Sequence, residues 1–260
     1  MRQSYLNYQL ILIDDGSTDG TDAEVIKLLP STIVIKGNGN WWWAGSLQQG
    51  YDWIKKNKKH SADNVLIVND DSILDTDFLE KGILLLKKNP GSLITASAVD
   101  YKSGKTTDVG LNYNFKENFI VDAHAPEEIN CLSTRGLFMN VNDFIKTGGF
   151  YPFLLPHYLS DYEFTIRANR KGLKLVCDPE FKIYYDPDTT GLANTNSYKI
   201  KAFFLIYFSK KYMANPISFF NFYLLAFPFP YNIKYSFKSS LAALKDILWV
   251  IKINLFGQVK

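Results

Sequence analysis

The chain is poor in residues that staple or ligate. It has two cysteines in 260 residues, Cys131 and Cys177, each in an apolar stretch. That excludes a disulfide framework and reads as two buried thiols of a reducing compartment. Three histidines (His60, His124, His157) with no Cys-x-x-Cys or His-x-x-x-His spacing argue against a zinc site. No run reaches the ~18–20 apolar residues of a spanning helix. The longest, Ile217 to Phe229, is interrupted by Ser218, Asn221 and Pro228. The opening Met1-Arg2-Gln3-Ser4-Tyr5 has no signal-peptide character. There is no internal repeat and no low-complexity segment.

What is present supports a large core: 47% hydrophobic and 15% aromatic residues, enough to offset the ordering entropy. The net charge of +3 is an average over two unlike parts. Residues 198–260 hold nine Lys against one acid, Asp246, a balance of +8, and seventeen of those 63 residues are aromatic. The other 197 residues carry 20 basic against 25 acidic groups, a balance of −5. An acidic body over residues 1–191 and a basic, ring-rich helical tail over 192–260 are therefore expected.

Short apolar runs alternate with amphipathic segments in the body, the pattern of βα units around a mostly parallel sheet. Strands are expected at Gln9–Ile13, Thr32–Lys36, Asn64–Val68, Leu93–Ala98 and Leu137–Val141, with two more at Leu173–Cys177 and Lys182–Tyr185. Helices are expected from Thr21, capped by a Thr21/Glu24 box, then from Gly45, Thr76 and Ser160.

Ligands of open α/β sheets bind at the carboxyl ends of strands. Two strands here end in paired acids, Asp14-Asp15 and Asp70-Asp71. Each pair alone is equally well read as a turn cap; together they indicate a cleft. Asp70-Asp71 suits a hard divalent ion, and Asp14 or Asp15 could accept from a base or a ribose. Ser160-Asp161-Tyr162-Glu163 fits a capping box, which leaves Asp161 in the first helical turn as either a dipole-stabilising acid or a general base. The loop Gly37-Asn38-Gly39-Asn40-Trp41-Trp42-Trp43-Ala44-Gly45 is neither a Walker loop nor G-x-G-x-x-G. Three consecutive tryptophans cannot all point inward, so at least one should line a cleft, where its face can stack on a base or sugar.

Taken in order, several segments resemble the family 2 glycosyltransferases. They are Ile11-Leu-Ile-Asp-Asp-Gly-Ser-Thr-Asp-Gly-Thr21, the Gly37–Gly45 loop, Leu66-Ile-Val-Asn-Asp-Asp-Ser72, Thr147-Gly-Gly-Phe150, Pro156 to Arg167, and Gly172. The resemblance covers roughly residues 5–185 and is greatest to bacterial rhamnosyl- and galactosyltransferases of O-antigen and other surface polysaccharides. It implies a GT-A fold, a mostly parallel sheet flanked by helices, here lacking the family's first strand.

The resemblance also implies roles. Asp14, Asp15, Gly16 and Asp70 would hold the nucleotide, and Asp71 would bind Mg2+ or Mn2+ on the diphosphate of a UDP- or dTDP-sugar. Asn69 stands where the metal motif has its first Asp, and no His follows the last body strand. Asp161 would be the base of an inverting transfer to a saccharide or lipid-linked acceptor. Trp42, Trp43, Gly45, Gly136 and His157 would shape the donor and acceptor cleft.

In the tail, Leu244, Ile247, Leu248 and Ile251 share one helical face. Its lysines and rings fit either the inner, anionic surface of the cytoplasmic membrane or a homodimer contact. Nucleic-acid binding fits worse, because arginine is absent there. The alternative to an active, cytoplasmic transferase is a non-catalytic remnant of the same fold, kept as a binding or scaffold protein. A sugar-phosphate nucleotidyltransferase is disfavoured by the lack of its Gly-rich N-terminal loop.

Overall fold

The computed structural model describes residues 3–57, 60–189 and 200–257. The boundary expected at residue 191 lies outside them. In chain order the elements are β1 (Ile11–Asp14), α1 (Thr21–Leu28), β2 (Ile33–Lys36), α2 (Trp42–Asn57), β3 (Asn64–Ile67), β4 (Ser72–Ile73) and α3 (Phe78–Lys88). Then come β5 (Ser92–Asp100), β6 (Thr106–Asp108), β7 (Leu111–Asn114), β8 (Phe119–Asp122), β9 (Leu137–Asn140), α4 (Val141–Thr147), α5 (Ser160–Arg170) and β10 (Lys174–Tyr185). Three helices finish the chain: α6 (Ile200–Tyr207), α7 (Pro216–Ala226) and α8 (Tyr231–Phe256).

The main sheet runs β3-β9-β5-β10-β4, with β6 paired to β5. β5 and β10 are parallel, and β9 is antiparallel to both β3 and β5. Hence β3, β5 and β10 point one way and their carboxyl ends share one edge, with β9 entering against them. β1 and β2 form a separate parallel pair, and β7–β8 is a hairpin. The two strands expected after Leu173 are one, β10, whose pairing with β5 shifts register between Asp178 and Lys182.

Side-chain alternation decides the layers. Val65 and Ile67 join Leu137, Met139, Phe144 and Phe164 beneath α2, α4 and α5. Leu66 and Val68 point the other way, against Phe78, Phe138, Phe181 and α3. α2 links the two sheets: Tyr51 enters the first of these cores, while Gly50 leaves room for Ile13, whose Cδ1 lies 2.8 Å from where a Cβ would stand. A third core joins tail to body, because Phe222, Tyr223, Phe227 and Tyr235 pack on Tyr113, Leu155 and Ile166.

Both expected capping boxes are absent. Gly20 precedes α1 with φ 82° and no side-chain cap, and Thr21 turns back to Asp19 through its N–H and its hydroxyl. Leu159, at φ 69°, precedes α5, and the Ser160 hydroxyl donates to the His157 carbonyl (2.8 Å). Glu163, freed from capping, accepts from Arg167 Nε (2.7 Å) and Nη2 (2.9 Å). Arg167 also donates to the carbonyls of Thr147 (2.5 Å) and Gly149 (2.7 Å). The pair thus ties α5 to the loop before it.

Candidate active site

The turns after β1 and β3 and the loops that meet them hold most of the residues singled out above, but give several of them other tasks. Asp14, buried, accepts from the backbone N–H of Ser17 (2.8 Å) and fixes the turn. Asp15 is occupied by the tryptophan loop. Its Oδ1 accepts from the Gly39 N–H (2.8 Å), and its Oδ2 from the N–H groups of Trp41 (2.7 Å) and Trp42 (3.0 Å). It therefore satisfies donors at the start of α2, as the helix end requires, and aims the loop. Gly16 is needed there: it adopts φ 83°, and a Cβ on it would come within 2.8 Å of the Gly39 nitrogen.

The three tryptophans separate, and Trp43, expected to shape the cleft, is instead turned to the core beneath α2. Trp41 lies over Gly37 and Gly45, and a Cβ on Gly45 would touch it at 3.0 Å. Trp42, held at φ 59°, meets the ring of His157 edge-on (6.1 Å) and carries Lys211 over its face (5.4 Å). The Ala44 N–H donates to the Pro156 carbonyl (3.0 Å), clamping this loop to the one that leads into α5. Burial, with the Lys211 charge adding, pushes the His157 imidazole below the ordinary histidine value. Its Nδ1 is buried without a partner among the described residues, as are Asn69 Oδ1 and Ser72 Oγ.

Asp161 opens α5 from the same side. Burial is the main cause that pushes its carboxyl up to about 6; helix N–H groups oppose the shift and the Asp108 charge adds to it. Asp108, at the end of β6, is itself raised by burial. No hydrogen bond or ion pair of the Asp161 side chain to another side chain occurs among the described residues.

Asp71 has a partner that the sequence reading did not foresee. Arg135 Nη1 donates to its Oδ1 at 3.0 Å, both side chains being mostly buried, and the guanidinium lies 4.4 Å from the centre of the Tyr185 ring. The fold explains the meeting. Tyr185 pairs with Ser72 in the β10–β4 ladder, which places its ring beside Asp71. The Tyr185 hydroxyl donates to Thr107 Oγ1 (3.0 Å), and Thr95 Oγ1 donates to the Arg135 carbonyl (3.2 Å). Gly136, at φ 72°, makes the turn into β9. A Cβ on it would stand 3.0 Å from Ile183 and 3.3 Å from Phe78, so packing as well as the backbone angle favours glycine there.

Over residues 1–150, more than half of its length, the chain matches the family model described as Glycosyl transferase family 2. It belongs to that family. Among solved structures this glycosyl transferase family 2 chain is similar to one titled "Crystal structure of GalNAc-T7 with UDP, GalNAc and Mn2+". The two share 10% identity and a TM-score of 0.55, over 94% of this chain and 51% of the other. The likeness carries the GT-A fold, and the chain spans about half the length of that structure's chain. No curated protein sequence matches it.

For this family member, the Mg2+ or Mn2+ expected at Asp71 finds no preformed cluster of ligands among the described residues. Asp71 already faces a cation, and Asp186, beyond β10, is held by Lys102 (2.9 Å). No group of three or more His, Cys, Asp or Glu side chains able to hold a metal occurs among the described residues. Asp70 is exposed on the turn. Arg135, Asp108 and Lys211 escaped the sequence reading because each reaches the cleft from another part of the chain. The one available signal was an arginine immediately before a turn glycine and a strand.

Proposed function

We propose that the chain is an inverting glycosyltransferase that moves a sugar from a nucleoside-diphosphate sugar, UDP- or dTDP-linked, to a hydroxyl of a saccharide acceptor. The observation that carries this is Asp161: a mostly buried carboxylate without a side-chain partner, at the strand-end edge of a family 2 fold, with its pKa raised to about 6 by burial. A base of that strength is about nine-tenths ionised at pH 7 and still takes up a proton, close to the optimum for general base catalysis. It accepts the proton of the acceptor hydroxyl as that oxygen forms its bond to the anomeric carbon. The bond from that carbon to the diphosphate breaks on the opposite face, and the electron pair leaves with the nucleotide.

The nucleotide is placed along the Gly16 and Asp70 turns, with Asp14 and Asp15 shaping the floor. Trp42 and His157 form the wall on which a sugar ring rests. Supporting an acceptor on a lipid carrier, helix α8 exposes Ile233, Phe237, Leu241, Leu244, Leu248 and Leu255 at helical spacing. The lysine excess of the tail suits the anionic inner face of a cytoplasmic membrane. Among the described residues no helix is long and apolar enough to cross a membrane, so the contact proposed is peripheral. O-antigen or capsule synthesis in a bacterium is the setting that joins these features.

The test is turnover of a UDP- or dTDP-sugar, with hydrolysis as the minimal reaction, by the wild type and by Asp161→Asn. Loss of turnover with nucleotide binding kept is the expected result; a variant that turns over at the wild-type rate would remove Asp161 from the role. Should neither nucleotide bind the wild type, the scaffold reading replaces the enzyme.

A further inference from the structure

We infer that Arg135 is the resident cation of this cleft: its guanidinium receives the donor's diphosphate at the place where the family relies on a divalent metal. The inference rests on the nucleotide-sugar reading above. Three observations carry it. First, Arg135 holds Asp71, the one acid of the motif positioned for a metal, at 3.0 Å with side-chain exposures of 15% and 20%. An ion bound there would have to displace the guanidinium or sit beside a like charge.

Second, the guanidinium is positioned rather than trailing in solvent. The Tyr185 ring flanks it at 4.4 Å, a cation–π arrangement, and that ring is itself fixed through Thr107. Backbone support comes from Thr95. Third, the fork is not used up. Asp71 takes one N–H of Nη1, and among the described residues the Arg135 side chain makes no other hydrogen bond. A planar fork with free N–H groups is suited to phosphate oxygens in a bidentate manner. Asp71 then acts as the positioning residue that holds the arginine, instead of as a metal ligand. In transfer, the fixed positive charge offsets the charge that develops on the departing diphosphate.

The experiment is titration calorimetry of the full chain with UDP, dTDP and inorganic pyrophosphate, each in EDTA and in Mn2+. We expect at least one probe to bind equally well in both media, with Kd changing less than about twofold. Arg135→Ala should weaken that binding about tenfold or more, the loss of one charged hydrogen bond. Arg135→Lys should retain most of it, and thermal melts establish that each variant is folded. The comparison of the two media needs no variant, so it decides even if Arg135→Ala fails to fold. Binding that requires Mn2+, is lost in Asp71→Asn and is unchanged in Arg135→Ala would overturn the inference and leave the nucleotide-sugar reading intact. Absence of binding by all three probes in both media would overturn both.

Discussion

Asp161 makes a prediction that opposes stability to activity. An ordinary Asp titrates at 3.8, whereas burial raises this one to about 6 in the folded chain. Between those values the native state holds a proton that the unfolded chain has released. Stability therefore falls as pH rises through that window, and the penalty is complete by about pH 7. The gap of about 2, at about 1.36 kcal/mol for each pKa step, gives about 3 kcal/mol. Since the residue is not wholly out of water, about 1–3 kcal/mol is the expected range.

Asp161→Asn removes the charge at nearly constant volume. The variant should be more stable than the wild type by that amount at pH 7.5 and indistinguishable from it at pH 3.5. For a chain of this size that is about 2–4 °C in Tm for each kcal/mol. Urea denaturation, or calorimetry, across pH 3.5–8 measures it. An Asn variant less stable than the wild type at pH 7.5, or one whose gain is the same at both pH values, would refute the burial argument.

The same carboxyl predicts that kcat/KM rises with pH along a limb centred near 6, because only the ionised form accepts the acceptor's proton; a kcat/KM flat from pH 5 to 8 would exclude Asp161 as the base. Glu163→Ala should destabilise the fold by about 3–5 kcal/mol in urea titrations, because it leaves Arg167 buried without its counter-ion; Glu163→Gln, which keeps an acceptor for the fork, should cost less. Asp15→Ala removes an acceptor from three N–H groups, so about 2–4 kcal/mol of stability and the fixed placement of Trp42 should go together, the latter read from tryptophan fluorescence. Vesicles containing phosphatidylglycerol should bind the full chain in low salt and release it as salt rises, and Phe237→Asp with Leu244→Asp should abolish the binding; equal binding to neutral vesicles would count against the charged component.

The elements were largely legible because period and punctuation agreed with the tertiary fold. Leu47, Tyr51 and Ile54 share a helical face and do meet the core. The apolar runs ending at Asp14 and just before Asp70 are strands. Capping failed as a guide because Thr21 and Ser160 found nearer partners, in Asp19 and the His157 carbonyl, once a left-handed residue had set the helix entry. The strand order was less legible. Nothing in Leu137–Asn140 announces that it enters antiparallel between β3 and β5, since its residues are buried on both faces and carry no alternation. Within the candidate site, residue types were legible, but hydrogen-bond partners could not be read. Asp15 and Asp14 look alike in sequence, yet one gathers three N–H groups from a loop two dozen residues away while the other closes its own turn.

Asp71 and Asp161 are treated oppositely by their surroundings, and that contrast carries more functional weight than either acid alone. Asp71 is given a counter-ion, a ring to hold that ion and a backbone anchor beyond it. Asp161 is given burial, a helix end and a second acid nearby, with no cation to offset them. A fold selected only for stability would have paired Asp161 or replaced it by an apolar residue, as either change removes the cost of a buried charge. Keeping a carboxylate where it destabilises, while a cation elsewhere is fixed in place, separates two chemical tasks. The unpaired acid is free to take a proton, and the fixed cation stands ready for negative charge that arrives and then grows. Moving the arginine's partner to Asp161 would satisfy both charges and leave neither able to act.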